Sequence, residues 1–374
     1  MRIGIITLRL HTNYGGILQA YALQTVLERM GHNVVLIEKY KAPLSLPKWK
    51  MPLSYGKRII KRLFGKKCII FYEKRYNQEM QIISKNTNEF INKYINRVII
   101  KDFSEIGEDD FNAIIVGSDQ VWRTVYYKKD NDIKNVYLKF TIGWDIKRIA
   151  YAASFGTDKW EYTSKQTIEC AELLKYFNAV SVRECSAVDL CRRYFNRDVE
   201  QVLDPTLLLN ADDYINLFRK ANIPQSKGTL LVYILDETPE KCQLIEELIR
   251  KTGLIPFRVN TQESNMNIPL NERIQPPVES WIRGFYDAEF VFTDSFHACV
   301  FSIIFNKKFI VYGNTQRGLS RFNSLLKTFG MQNRLITSIE EFQTMTQENI
   351  DLSEIINREK YKSISFLKNS LNER

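Results

Sequence analysis

The chain has 374 residues, 53 of them Lys or Arg and 43 Asp or Glu, which gives a formal net charge of +10. Apolar residues make up 44% and charged residues 26%, which is typical of a globular protein and argues against a disordered one. No apolar run approaches the roughly 18–20 residues that span a bilayer, the N-terminus lacks a signal-peptide pattern, and the six cysteines show no metal-ligand spacing. The sequence therefore predicts a reduced cytoplasmic protein of about two domains, and it argues against secretion, membrane spanning and a zinc-finger role.

In chain order, the first half alternates short β-branched runs with helical patterns, which is typical of a parallel sheet with crossover helices. Its predicted strands are Ile3–Leu8, Asn33–Ile37, Ala113–Gly117, Arg148–Ala153, Ala179–Arg183 and Glu200–Leu203. Its predicted helices are Gly16–Gly31, Asn77–Tyr94, Tyr162–Phe177 and Glu184–Phe195. The interval from residue 39 to 111 is longer than a compact βαβ unit needs, so it is interpreted as an insertion.

The positive charge is concentrated in that interval, in residues 39–75. The segment holds twelve basic residues and one acid, Glu73, so the rest of the chain is close to neutral. Residues 55–71 predict a short amphipathic helix, with an apolar face of Ile59, Ile60, Leu63 and Phe64 flanked by Lys57, Lys61 and Arg62. Two interpretations stay open: a solvated basic surface, and peripheral contact with an anionic membrane or lipid phosphate. Nucleic-acid binding is disfavoured, because zinc-finger spacing and an RNP1 pattern are missing.

A second series of strands and helices follows an Asp-Pro-Thr sequence at residue 204. Its predicted elements are strands at Thr229–Leu235, Leu254–Val259, Glu289–Thr293 and Phe309–Tyr312, and helices at Pro239–Lys251, Pro276–Asp287, Ser295–Phe305 and Ser353–Leu371. The predicted fold is α/β, with two Rossmann-like domains facing a cleft. Residues 1–205 would form the first domain and 206–350 the second, and the helix in 351–374 would pack back on the first.

Ligands of open α/β sheets gather at the carboxyl ends of strands, and several such ends are polar here. The first strand is followed by Asn13, Tyr14, Gly15 and Gly16, where two glycines would let the backbone approach a ligand. This is not the GxGxxG fingerprint of a dinucleotide site, and a plain turn remains an alternative. The later strand ends carry residues suited to gripping sugar hydroxyls, with Trp122 as a stacking surface: Ser118, Asp119, Gln120, Trp122, Ser154 and Arg183.

The junction Thr293–Ala298 is the sharpest of these candidates. His297 lies in the first turn of a predicted helix, directly after a buried strand, where an imidazole can bind phosphate or move a proton. Arg317 and Arg321 follow the next strand and would supply the paired donors that a carboxylate or phosphate needs.

Together, these motifs resemble the polysaccharide pyruvyl transferase family over nearly the whole chain. The matching pieces, in order, are Asn13–Gln24, Gly117–Trp122, Tyr151–Gly156, Ser181–Glu184, Leu203–Leu209 and Thr293–His297. The resemblance implies a GT-B-like fold of two domains, an acceptor side in the first and a phosphoenolpyruvate side in the second. It implies transfer of the pyruvyl group of phosphoenolpyruvate to a sugar, as a ketal across two hydroxyls, with release of phosphate.

The resemblance also suggests partners and roles for individual residues. It implies phosphoenolpyruvate as co-substrate, no other cofactor and no metal, and an acceptor sugar on a lipid-linked surface glycan at the inner face of the membrane. We expect His297 to bind the donor and transfer a proton, Asp119 to hold or deprotonate the acceptor, and Asp294 to orient His297. Many family members carry an arginine where this chain has Ser295, so Arg183, Arg317 or Arg321 would have to replace it.

Two other classes stay open at this point. A nucleotide-sugar-dependent glycosyltransferase of GT-B type would share the architecture and would bind a nucleotide sugar in the second domain. A non-enzymatic binder of membranes or nucleic acid would depend on residues 39–75 alone.

Overall fold

A computed structural model describes residues 1–127, 130–313, 318–344 and 351–372 of the chain. The strands are β1 Arg2–Ile6, β2 Asn33–Lys39, β3 Arg97–Ile100, β4 Ala113–Val116, β5 Lys147–Ala153, β6 Ala179–Val182, β7 Glu200–Gln201, β8 Leu230–Tyr233, β9 Pro256–Phe257, β10 Phe290–Thr293, β11 Lys308–Tyr312 and β12 Leu335–Ile336. The helices are α1 Tyr14–Arg29, α2 Met51–Leu63, α3 Tyr72–Ile83, α4 Lys85–Tyr94, α5 Asp130–Ile133, α6 Ser164–Leu174, α7 Cys185–Leu190, α8 Ala211–Lys220, α9 Pro239–Thr252, α10 Val278–Asp287, α11 Phe296–Ile304, α12 Ser320–Thr328, α13 Ile339–Thr344 and α14 Ser353–Asn372.

The strands form two parallel sheets. The first has the order β3-β2-β1-β4-β5-β6-β7, and the second has the order β12-β11-β10-β8-β9. Central strands such as β4 are buried along their whole length, because helices cover both faces of a parallel sheet. The predicted α/β fold of two Rossmann-like halves, each built on a parallel sheet, is confirmed.

The interval predicted as an insertion contains an edge strand of the first sheet, which corrects that prediction. Strand β3 pairs with β2 in parallel, with Val98 opposite Ile37. Its middle residues, Val98 and Ile99, remain exposed, so the strand lacks the burial that made the central strands recognisable. The helix predicted over residues 77–94 is also two helices, α3 and α4, which meet at Ser84.

The two sheets share one apolar core. A continuous cluster of buried side chains extends from Ile3 and Ile5 in the first sheet to Leu231 and Val291 in the second. The C-terminal helix α14 lies against the first sheet, where the Ser363 hydroxyl accepts from the Leu203 amide at 2.9 Å.

The basic segment protrudes from the carboxyl end of β2. Helix α2 has no buried residue, whereas α3 is anchored to the second half by an ion pair between Glu79 and Arg273. In the part of the chain that the structure describes, no helix is both long enough and apolar enough to cross a membrane.

Candidate active site

The two halves meet where α1 and α11 begin. A Cβ atom at Gly15 would overlap the imidazole ring of His297 and lie 2.7 Å from the His297 Cβ. Only glycine allows this approach, because any side chain would push the ring away. The structure therefore brings together the glycine turn after β1 and the histidine after β10, which come from different sheets.

Asp204 lies at the centre of the junction. One of its carboxylate oxygens, Oδ2, accepts a hydrogen bond from Arg183 Nη1 at 2.8 Å and lies 3.6 Å from His297 Nε2. Its other oxygen accepts from the amide and the hydroxyl of Thr206, at 3.0 and 2.6 Å. The carboxylate thus holds a guanidinium and an imidazole side by side, in a position fixed by the following turn.

These charges are buried and depend on one another. Burial would raise the pKa of Asp204, but His297 and Arg183 lower it well below its ordinary range. Burial would lower the pKa of Arg183, but Asp204 and Asp119 raise it above its ordinary range. Asp204 therefore remains ionised, and it places a negative charge beside the His297 ring.

Asp119 completes the cluster from the loop after β4. Its Oδ1 accepts a hydrogen bond from Arg183 Nη2 at 3.3 Å. The backbone of Asp119 has a φ of +75°, which residues other than glycine rarely adopt. Next to it, the Ser118 amide donates to Gln19 Oε1 at 3.1 Å, and the Ser118 hydroxyl lies 3.4 Å from Asp204. Gln19 is a positioning residue that the sequence did not single out, although it lies in the stretch shared with the family.

A partly exposed rim surrounds these buried groups. Arg321 lies 5.5 Å from the centre of the Phe296 ring, while Arg183 lies 4.6 Å from it. Among the described residues, the Nε of Arg321 has no hydrogen-bond partner. The pKa of Arg321 is lowered to about 10 by burial and by Arg183. Tyr126 lies beside Asp119, and its pKa is raised by burial and by that carboxylate. Gln120 contacts both Tyr126 and the Arg123 guanidinium.

Asn13 and Tyr14, predicted as substrate-binding residues in the glycine turn after β1, contact other parts of the protein. Asn13 caps α1 by accepting from the Gly16 amide at 3.3 Å. Tyr14 is 1% exposed, stacks on Trp281, and donates to the backbone carbonyl of Pro276 at 2.8 Å. Tyr14 therefore joins the two halves, and these contacts use the side chain for which substrate contact is predicted.

Two further candidates are part of the core. Trp122 is fully buried, stacks on Tyr137 and donates from Nε1 to the Val136 carbonyl, so it offers no stacking surface to a sugar. Ser154 is also fully buried, and its hydroxyl donates to Glu184 at 2.9 Å. Both side chains, for which substrate contact is predicted, therefore have their hydrogen-bond partners inside the first domain.

The carboxylate of Asp294, which is predicted to orient His297, contacts other groups in the structure. Its Oδ2 lies 2.6 Å from Lys241 Nζ, and its Oδ1 accepts from the Leu235 amide at 2.7 Å. The buried Lys241–Asp294 pair therefore ties α9 and the loop after β8 to the end of β10. Asp204 takes the place beside His297 that the sequence assigned to Asp294.

The remaining candidates lie at the start of α11 and after β11. Ser295 is half-buried at the N-cap of α11 and makes no side-chain capping bond. Arg317 lies outside the described residues. Asp204 was the principal omission from the predicted site, and the Asp-Pro-Thr motif, with its hydroxyl two residues after the carboxylate, was its signal in the sequence.

The family model described as polysaccharide pyruvyl transferase matches residues 13–316. Among curated proteins, none matches the chain.

Several solved structures are similar to the chain at low identity. UDP-GlcNAc 2-epimerase from Neisseria meningitidis bound to UDP-GlcNAc is 10% identical, with a TM-score of 0.45 over 99% of this chain and 100% of that one. Arabidopsis thaliana UGT89C1 complexed with UDP-L-rhamnose is 9% identical, with a TM-score of 0.48 over 99% and 97% of the two chains. The family match covers most of the sequence, including the turn at Gly15, the loop at Asp119 and the helix start at His297. The chain belongs to the polysaccharide pyruvyl transferase family.

Proposed function

We propose that the protein transfers the pyruvyl group of phosphoenolpyruvate to a sugar of a surface glycan, forming a pyruvate ketal and releasing phosphate. The observation that carries the proposal is the buried group of His297, Arg183 and Asp204, at the point where the two halves meet. We expect the imidazole of this group to contact the donor, and the Arg183–Asp204 pair to hold that imidazole in position.

The donor carries a carboxylate and a phosphate, so it needs cations that are not already neutralised. Arg183 is shared between two carboxylates, whereas the Arg321 guanidinium makes no ion pair with the described residues. We assign Arg321 to an anionic group of the donor, because a guanidinium binds planar oxyanions through two parallel hydrogen bonds. The uncapped first turn of α11 supplies further amide donors to the other anionic group.

The chemistry requires one proton to be delivered and two to be removed. Protonation of the methylene carbon of phosphoenolpyruvate makes C2 electrophilic, and a sugar hydroxyl adds there while it loses its proton. The C–O bond to phosphate then breaks, the second hydroxyl closes the ketal, and its proton leaves with the phosphate. His297 is the assigned proton donor, with the ionised Asp204 3.6 Å away to balance its charge.

Asp119 is the assigned contact for the acceptor. It is held by Arg183 through Oδ1 at 3.3 Å, beside the partly exposed Tyr126. We further propose that the acceptor sugar is part of a lipid-linked glycan, so that the reaction takes place at the cytoplasmic face of a membrane.

The test is incubation with phosphoenolpyruvate and candidate lipid-linked glycans, followed by measurement of released phosphate and of product mass. We expect a product with the added mass of a pyruvate ketal, and His297→Asn should abolish it. His32→Asn is the matched control, since His32 lies in the turn between α1 and β2, away from the site. Near-normal phosphate release by His297→Asn would contradict the assignment. Thermal stabilisation by nucleotide sugars and not by phosphoenolpyruvate would favour a glycosyltransferase instead.

A further inference from the structure

The basic segment 39–75 presents an apolar helix face that nothing in the described structure covers. The side chains of Trp49, Leu53, Ile60, Leu63 and Phe64 are between 55% and 81% exposed. Leu53 and Ile60 are seven residues apart, and Leu63 follows three residues later, so the spacing places them on one side of α2.

The opposite side of α2 attaches the helix to the protein. Arg58 forms a paired hydrogen bond with Glu73, at 2.7 and 2.8 Å, and also donates to the Ile70 carbonyl. Tyr55 packs on Phe71 with ring centres 5.1 Å apart. The helix is therefore held with its apolar side outward.

Positive charge surrounds the apolar face. Lys57 and Lys61 are exposed on α2 itself, and no ion pair is recorded for either in the described structure. Beyond the helix end, a groove of about 830 Å³ is lined by further basic side chains, namely Arg62, Lys66, Lys67, Lys74 and Arg75. An apolar stripe flanked by lysines, with an indole at one end, complements an anionic lipid surface: the apolar groups enter the acyl boundary while the lysines reach the phosphates.

The segment leaves the sheet at the edge that carries the candidate active site. It follows the carboxyl end of β2, which pairs with β1, and the glycine turn at Gly15 follows the carboxyl end of β1. Helix α3 continues from this segment and is anchored by the ion pair between Glu79 and Arg273. Arg273 is two residues before Gln275, which accepts a hydrogen bond from Tyr14. A surface bound by α2 would thus lie on the same side of the molecule as the site.

We propose that α2 and its flanking residues dock the protein on the surface of an anionic phospholipid bilayer. The helix of 13 residues lies parallel to that surface, with Leu63 and Phe64 inserted and Lys57 and Lys61 at the level of the phosphates. This docking is independent of the reaction chemistry, and only its consequence for a lipid-linked acceptor rests on the proposed function.

The test is co-sedimentation of the full chain with phosphatidylcholine vesicles, with and without phosphatidylglycerol, in the absence of phosphoenolpyruvate and acceptor. We expect binding to the anionic vesicles only, and weaker binding at raised salt. Lys57→Gln with Lys61→Gln should weaken binding about thirty-fold, since each basic residue near the surface contributes a factor of about five. Leu63→Ser with Phe64→Ser should weaken it by about tenfold or more.

Matched controls make the same changes elsewhere on the surface. Lys220→Gln with Lys368→Gln removes two exposed lysines, and Ile168→Ser with Tyr361→Ser removes two exposed apolar side chains. Both should bind vesicles as the wild type does. The proposal is overturned if the controls lose as much binding as the α2 variants, or if the wild type ignores anionic lipid. It is also overturned if the α2 variants change only the oligomeric state, because a second copy would then cover the face.

A second measurement separates docking from catalysis. The α2 variants should retain phosphate release with a soluble acceptor and lose it with an acceptor held in vesicles. If the wild type binds anionic vesicles but releases no phosphate with either acceptor, the reaction assignment is contradicted and docking stands. If the α2 variants bind vesicles as the wild type does, docking is overturned.

Discussion

Replacing Gly15 by alanine should displace His297, and the neighbouring Gly16 provides a control of the same chemical kind. A Cβ at Gly15 would overlap the His297 ring, so the ring would have to retreat by about 1 Å or more to reach an ordinary contact of about 3.5 Å. At Gly16 the nearest atom to a built Cβ is Asn13 Cγ, at 3.6 Å, which is ordinary contact. Both glycines lie in the first turn of α1, so any gain in helix propensity, up to about 1 kcal/mol, is shared.

We expect the two substitutions to differ in their effect on the free energy of unfolding. Gly16→Ala should leave the free energy of unfolding unchanged or slightly raised, whereas Gly15→Ala should lower it by about 1–3 kcal/mol, the usual cost of overpacking. Gly15→Ala should also reduce phosphate release from phosphoenolpyruvate by about 100-fold, because a misplacement of about 1 Å at a reacting group has that effect.

Urea unfolding and a phosphate-release assay measure the two effects. The chain has three histidines, so the NMR signal of the His297 ring should be resolved. The chemical shift of this signal should change in Gly15→Ala and remain the same in Gly16→Ala. Equal stability and equal rates for the two variants would refute the close approach of α1 to His297, and with it the geometry of the site.

Three more predictions concern Asp204, the Lys241–Asp294 pair and Arg321. Asp204→Asn should lower the free energy of unfolding by about 3–5 kcal/mol, because Arg183 loses its nearer carboxylate. The pKa of Asp204 is lower in the folded than in the unfolded state, so its carboxylate stabilises the fold only where it is ionised. The difference in free energy of unfolding between wild type and Asp204→Asn should therefore be full above a pH of about 4 and shrink in more acidic urea titrations. A difference that stays constant with pH would contradict this. Asp294→Asn should lower the free energy of unfolding but leave the turnover of the folded protein unchanged. The double variant Lys241→Met with Asp294→Leu should recover most of the lost stability, because it removes both buried charges. An additive loss in the double variant would show that the pair is not coupled. Arg321→Ala should raise the KM for phosphoenolpyruvate about tenfold or more at unchanged stability, and Arg321→Lys should restore only part; an unchanged KM would remove Arg321 from donor binding.

The sequence predicted the central strands well, because strands buried on both faces are continuous apolar runs. Ala113–Val116 and Phe290–Thr293 are of this kind, and the structure has both as strands. Strand β3 is an edge strand with exposed Val98 and Ile99, and it directly follows a helix, so its pattern carried no comparable signal.

The site was harder to predict than the fold, since neighbours along the chain are not always neighbours in space. Asp294 is three residues from His297, but its carboxylate contacts Lys241 in the first turn of α9. Asp204 is 93 residues away in sequence, and it is the carboxylate that lies beside the ring. Trp122 is a residue type that often stacks on sugar rings, but its side chain packs on Tyr137 and is completely buried.

The shared apolar core makes the two halves interdependent. Its side chains run without a break from Ile3 and Ile5 to Leu231 and Val291, so neither half can bury its own apolar surface when it is separated from the other. A fragment ending near residue 205 would keep its complete sheet and still expose the surface that the second half covers. His297 and Asp119 come from opposite halves. A hybrid protein that takes one half from a relative must therefore keep the packing of the shared apolar core as well as the reacting residues.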